Sequence, residues 1–198
     1  MTNSLKYNSR IIKALYFAAD AHKGQTRKGT DMPYLVHPVE VAMILYENNM
    51  PEDLIVAGLL HDVLEDTDKS EMDIENEFGK RILDLVLGAS EELEGRANRD
   101  WKTRKAQKIQ YLSRAPRDVK CIACADKLSN IRSILRDLDR IGKDLWKRFN
   151  ETDPKEQLWY YNELVKSLGD LEEYDMYIEL KKSVDVLAEK VESSREIN

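Results

Sequence analysis

In the stretch LLHDVLEDT, residues 59–67, an apolar run ends in four groups that can bind a metal or move a proton: His61, Asp62, Glu65 and Asp66. The residues leading into them, LIVAGLL, suit burial. Wound as a helix, His61 and Glu65 share a face, as do Asp62 and Asp66, and Asp62 and Glu65 lie between those pairs. Burying unpaired carboxylates is costly, and a divalent cation is a common way to offset that cost. The competing reading is a polar last turn that emerges into solvent.

Two further stretches carry matching chemistry. PYLVHPVEVA sets His37 between a loop and a helix start, in apolar company. CIACADKLSNI sets Asp126 after a run, Val119 to Ala125, that is apolar except for Lys120. A helix apolar on all sides is a buried helix, so Asp126 needs a partner. Together His37, His61, Asp62 and Asp126 would form a mixed nitrogen and oxygen site, a set that suits Mn, Fe or Zn better than Ca. A hydrogen-bonded core pair without metal is the alternative for His37 and Asp126. The third histidine, His22, ends an amphipathic helix before KGQTRK and reads as structural. Cys121 and Cys124 form a C-x-x-C within a helical pattern, with no second pair nearby. They read as small core residues rather than a zinc or redox site.

The elements that must hold these groups are helical by their periodicity. IIKALYFAADAH presents one apolar face, and QTRKGTDMPYLV then breaks the pattern as a loop. Pro38 suits the first turn of the next helix, where a missing N–H costs nothing. Pro51 opens a helix expected to run through HDVLEDT. Ser70 followed by Asp73 is a cap signal for SEMDIENEFGK. RILDLVLGAS, WKTRKAQKIQYLSRA, PRDVKCIACADKLSNIRSILRDL and two C-terminal segments complete the series. The expectation is an all-α single domain over residues 1–198, with core motifs at 21–134 and a frayed end at 194–198. Residues 90–105 read as a long surface loop that could cover a site.

Composition bounds the function. Charged residues make up 34% and apolar residues 42% of the 198, with a formal net charge of −6. Such a chain folds as a globule. Its acidity weighs against nucleic acid as the main partner, though not against a local basic pocket for a small anion. No apolar run nears the roughly 18 residues that span a bilayer. The N-terminus lacks a signal peptide's apolar core, and two cysteines make no disulfide framework. A reducing cytoplasm is the expected compartment. No phosphate-binding glycine motif of the ATP-using kinds occurs.

The order His…His-Asp…Asp, centred on HDVLEDT, resembles the HD-domain metal-dependent phosphohydrolases. It is similar in particular to the hydrolase domain of the RelA/SpoT alarmone enzymes and their small stand-alone relatives. AHKGQTRKGTDMPYLVHPVEVAMIL, AGLLHDVLEDT and ADKLSNIRSI carry the likeness in order over residues 21–134, with Phe78-Gly79 between them. The resemblance implies a helical fold that binds one Mn²⁺ at His37, His61, Asp62 and Asp126. It implies that Glu65 and Asp66 handle water and protons, that Arg27 and Lys28 line the nucleotide pocket, and that Asn130 meets the sugar. The implied activity is (p)ppGpp 3′-pyrophosphate hydrolysis on a small nucleotide substrate. ADKLSN departs from the long enzymes' A-D-R-x-H-N at Lys127 and Ser129. Two alternatives stay open: the same chemistry on another nucleotide, or a nucleotide sensor on a non-catalytic HD scaffold.

Overall fold

The computed structural model describes residues 10–90 and 100–193, and among these the chain is α-helical, with one isolated antiparallel bridge between Thr26 and Pro33. Its helices gather into two compact units, Met1–Ser90 and Glu91–Asn198.

The first unit holds α1 (Arg10–Ala21), α2 (Val36–Glu47), α3 (Glu52–Leu60), α4 (Val63–Asp66), α5 (Glu71–Phe78) and α6 (Lys80–Ala89). Helix α3 is its centre: every residue from Leu54 to Leu60 is buried, and α1, α2 and α6 all pack on it. Gly58 lets α2 come close, since a Cβ there would stand 2.6 Å from Leu45 Cδ1. Pro38 is the third residue of α2, where its missing N–H leaves the helical ladder intact. The cap signal on α5 is a full capping box, with Ser70 and Asp73 each bonding the other's backbone N–H. Gly79, at φ +86, turns the chain sharply from α5 into α6.

The helix expected to run unbroken from Pro51 through HDVLEDT stops at Leu60 and resumes at Val63. Side chains take over the backbone groups at the junction. The Ser90 hydroxyl donates to the His61 carbonyl at 3.1 Å, and His61 Nδ1 meets the Gly58 carbonyl at 2.8 Å. The second of these is a local bond of the kind that competes with the helical ladder. His61 and Asp62 keep nearly helical dihedrals, so the cluster stays together while its two halves are re-aimed.

The second unit is built on α8 (Arg117–Ile141), with α7 (Trp101–Arg114), α9 (Pro154–Ser167) and α10 (Asp175–Ser193) and two 3₁₀ turns. Helix α10 packs on α8 and α9, and α7 packs on α9. Every residue of α8 from Val119 to Asp126 is buried, as its apolar run requires. Lys120 escapes the cost of burial by pairing with both oxygens of Asp170 at 3.0 and 2.9 Å. Cys121 and Cys124 are buried free thiols, and burial pushes Cys121 up to about 11. The segment read as a loop over residues 90–105 is helical from Trp101 onward, with Asp100 as its cap. Its remainder at 91–99, like the end at 194–198, lies outside the described residues.

Candidate functional site

Helix α2 and the α3–α4 junction bring three of the expected residues of the first unit together, His37, His61 and Asp62. His37 enters from the first turn of α2 and is 3% exposed. His61 follows α3 directly, is also 3% exposed, and its ring lies 5.1 Å from that of His37. Asp62 Oδ2 stands 3.2 Å from His61 Nε2 and 3.5 Å from His37 Nε2. Three potential ligand atoms thus converge in a buried corner of the first unit.

Protonation follows from the partners. The Gly58 carbonyl only accepts, so His61 Nδ1 carries the hydrogen and a neutral ring presents a lone pair at Nε2. That lone pair faces the Asp62 carboxylate, another acceptor. Two acceptors at this spacing need a proton or a cation between them. Neighbouring ligands of one cation at about 2.1 Å stand roughly 3.0–3.4 Å apart in octahedral or tetrahedral sites. The donor set and spacing therefore fit a divalent metal. The backbone bond to Nδ1 is the kind of outer contact that orients a metal-binding histidine.

Glu65 and Asp66 sit on α4, Glu65 half-buried and Asp66 exposed. Tyr34, unremarked in the sequence, ties the cluster together. Its hydroxyl lies 2.6 Å from Asp62 Oδ2 and 3.0 Å from Asp66 Oδ2. Burial first, and then the Asp62 and Asp66 carboxylates, push its phenol far above the ordinary tyrosine value, so it stays a donor. One signal for it existed: an aromatic hydroxyl three residues before a candidate ligand histidine.

Arg27 and Lys28 lie on a loop more ordered than its Gly and Pro suggested. Arg27 N bonds the Met32 carbonyl, Tyr34 N bonds the Gln25 carbonyl, and Gly29 takes φ +72 at the turn between Arg27 and Thr30. The Arg27 guanidinium stands 5.8 Å from the centre of the Tyr34 ring, and Lys28 is exposed. His22, read as structural, is buried and stacked on Tyr34 with ring centres 4.7 Å apart.

In the second unit Asp126 and Asn130 share a face of α8, one turn apart, and Asn130 Nδ2 donates to Asp126 Oδ1 at 2.5 Å. Lys127 Nζ pairs with Asp126 Oδ2 at 2.7 Å. Burial works against the Lys127 charge, but the Asp126 carboxylate outweighs it and carries the lysine well above its usual range. The lysine that departs from the long enzymes' motif thus fixes the orientation of Asp126, and Ser129 beside it is buried.

A family model for the HD domain matches residues 14–152. The chain belongs to the HD-domain family. This HD-domain protein is 36% identical over 163 residues to the bifunctional (p)ppGpp synthase/hydrolase SpoT of Escherichia coli strain K12. The match takes in 81% of the chain but 22% of SpoT, so the chain spans about a fifth of that relative's length. A Listeria monocytogenes EGD-e crystal structure superposes with a TM-score of 0.68 at 31% identity, over 76% of this chain and 97% of that one. A structure of a metazoan ortholog of SpoT, described as hydrolysing ppGpp and playing a role in starvation responses, gives a TM-score of 0.70 at 26% identity. That likeness covers 90% of this chain and 93% of the ortholog's. The second unit's contribution to the HD match runs to residue 152, which includes Asp126 and Asn130. No helix among the described residues is long and apolar enough to cross a membrane.

Proposed function

We propose that this HD-domain protein is a Mn²⁺-dependent (p)ppGpp 3′-pyrophosphohydrolase, acting in the cytoplasm and yielding GDP or GTP and pyrophosphate. The observation that carries the reading is the convergence of His37 Nε2, His61 Nε2 and Asp62 Oδ2, with Asp66 tied to the same cluster through Tyr34. The hydrolase names of the SpoT relatives support the choice of substrate.

In this reading His37, His61, Asp62 and Asp126 hold the metal, Asp126 being the fourth ligand that the family's motif order supplies. A divalent ion there supplies Lewis acidity to a phosphate oxygen and lowers the pKa of water beside it. Glu65 and Asp66 orient that water and take its proton. The water oxygen bonds to the phosphorus attached to O3′, the P–O3′ bond breaks, and the proton passes to O3′. Arg27 holds the base or a phosphate through its planar fork, and Lys28 adds a point charge. Asn130, one turn from Asp126, meets the ribose.

The test is a nucleotide panel with the purified protein and Mn²⁺. Consumption of ppGpp, with GTP, ATP and GMP left intact, is the expected result. Loss of a single phosphate from a mononucleotide, with ppGpp untouched, would leave the metal site in place but remove the alarmone substrate.

A further inference from the structure

Tyr34 belongs to neither the ligand set nor the acid pair, yet it touches both. Its hydroxyl has one proton and two carboxylates within reach, Asp62 at 2.6 Å and Asp66 at 3.0 Å. Asp62 Oδ2 is also the oxygen that faces both histidines. The hydroxyl therefore bridges the atom that would bind metal and the acid that would handle protons. It places one donor between two like charges on adjacent turns.

The ring behind the hydroxyl is fixed as well. His22 stacks on it at 4.7 Å with the planes 27° apart, and Arg27 approaches to 5.8 Å. Gln25 closes the circuit. Its amide nitrogen donates to the Asp66 carbonyl at 2.6 Å, which turns its amide oxygen to His22 Nδ1 at 2.8 Å. Because that oxygen accepts, Nδ1 carries the His22 hydrogen. Gln25 also accepts from Tyr34 N at 2.9 Å. Asp66 is thus gripped twice by one loop, at its backbone by Gln25 and at its carboxylate by Tyr34.

We propose that Tyr34 is a positioning residue of the phosphohydrolase reaction, holding the Asp66 carboxylate in register with Asp62 and joining both to the loop that carries Arg27. This rests on the function proposed above. It makes no use of metal ligation by Tyr34 itself. Removing the hydroxyl should let Asp66 swing towards solvent, its natural place as an exposed carboxylate, while the ring keeps its stack.

Tyr34→Phe tests the idea, in a cycle with Asp66→Asn. The expected result is a kcat lowered by about tenfold to a hundredfold, the scale on which a displaced group costs rate. KM for ppGpp and the Mn²⁺ content by elemental analysis should stay near wild type. In the Asp66→Asn background the same change should cost little more, because the residue it positions is already gone. Unchanged kcat in Tyr34→Phe would overturn the proposal. So would a full additive loss in the double variant, or loss of Mn²⁺ from Tyr34→Phe, which would make the tyrosine a prop for Asp62 alone. A wild-type protein that binds Mn²⁺ and leaves ppGpp intact would sink the substrate reading instead. The contact is then judged by chemical denaturation of the same four proteins: non-additive midpoints sustain the Tyr34–Asp66 coupling, and additive midpoints overturn it.

Discussion

Glu65 and Asp62 are three residues apart, yet the structure gives them different settings. Asp62 faces two imidazoles and a phenol, while Glu65 stands half-buried on the short helix after it. Their roles should separate accordingly. Glu65→Gln is expected to keep its Mn²⁺ by elemental analysis while turnover falls by about 10²-fold or more, the usual size of a lost proton-transfer partner. A variant that loses the metal would move Glu65 into the coordination sphere. The acids and imidazoles were legible in the sequence because four such groups seldom close an apolar run. Tyr34 was passed over, because its partners Asp62 and Asp66 lie 28 and 32 residues away and its one signal, standing three residues before His37, names neither of them.

Helix α3 carries the second expectation. A methyl group on Gly58 would stand 2.6 Å from Leu45 Cδ1 and 3.3 Å from Val41 Cγ1, both on fully buried side chains. Gly58→Ala gains about 1 kcal/mol in helix propensity but meets an overpacking cost of about 1–3 kcal/mol. With Leu45 and Val41 both fully buried, the cost should win. Thermal melting should show a fall of about 2–4 °C for each kcal/mol of net loss in a chain of this size. A raised midpoint would mean that α2 and α3 can part without penalty. The helices themselves were legible from period and caps, Ser70–Asp73 most directly. The break at His61–Asp62 was not, since both dihedral pairs are near-helical and one of the bonds at the junction comes from Ser90, 29 residues on in the chain. The bridged loop at Thr26 and Pro33 was hidden for the same reason, as Gly29 and Pro33 mark a turn without stating its partner.

For the molecule as a whole, the HD match over residues 14–152 runs through both compact units, so the family's motif order draws on both. A net charge of −6 makes the chain a poor general attractor of anions. On the proposed function, recognition of an anionic nucleotide would have to be local, and Arg27 and Lys28 are the groups proposed for it. The fold was legible at this scale because the metal-binding residue types keep their order in the sequence. The proposed substrate rests on resemblance alone, since no spacing rule names a guanine or a 3′ phosphate. The most direct test is hydrolysis of ppGpp in ¹⁸O-labelled water with Mn²⁺, followed by ion-exchange separation and mass spectrometry of the products. Attack at the phosphorus on O3′ requires equal amounts of GDP and intact pyrophosphate, with the label in pyrophosphate and none in GDP. Release of orthophosphate, or label in the nucleotide, would contradict it.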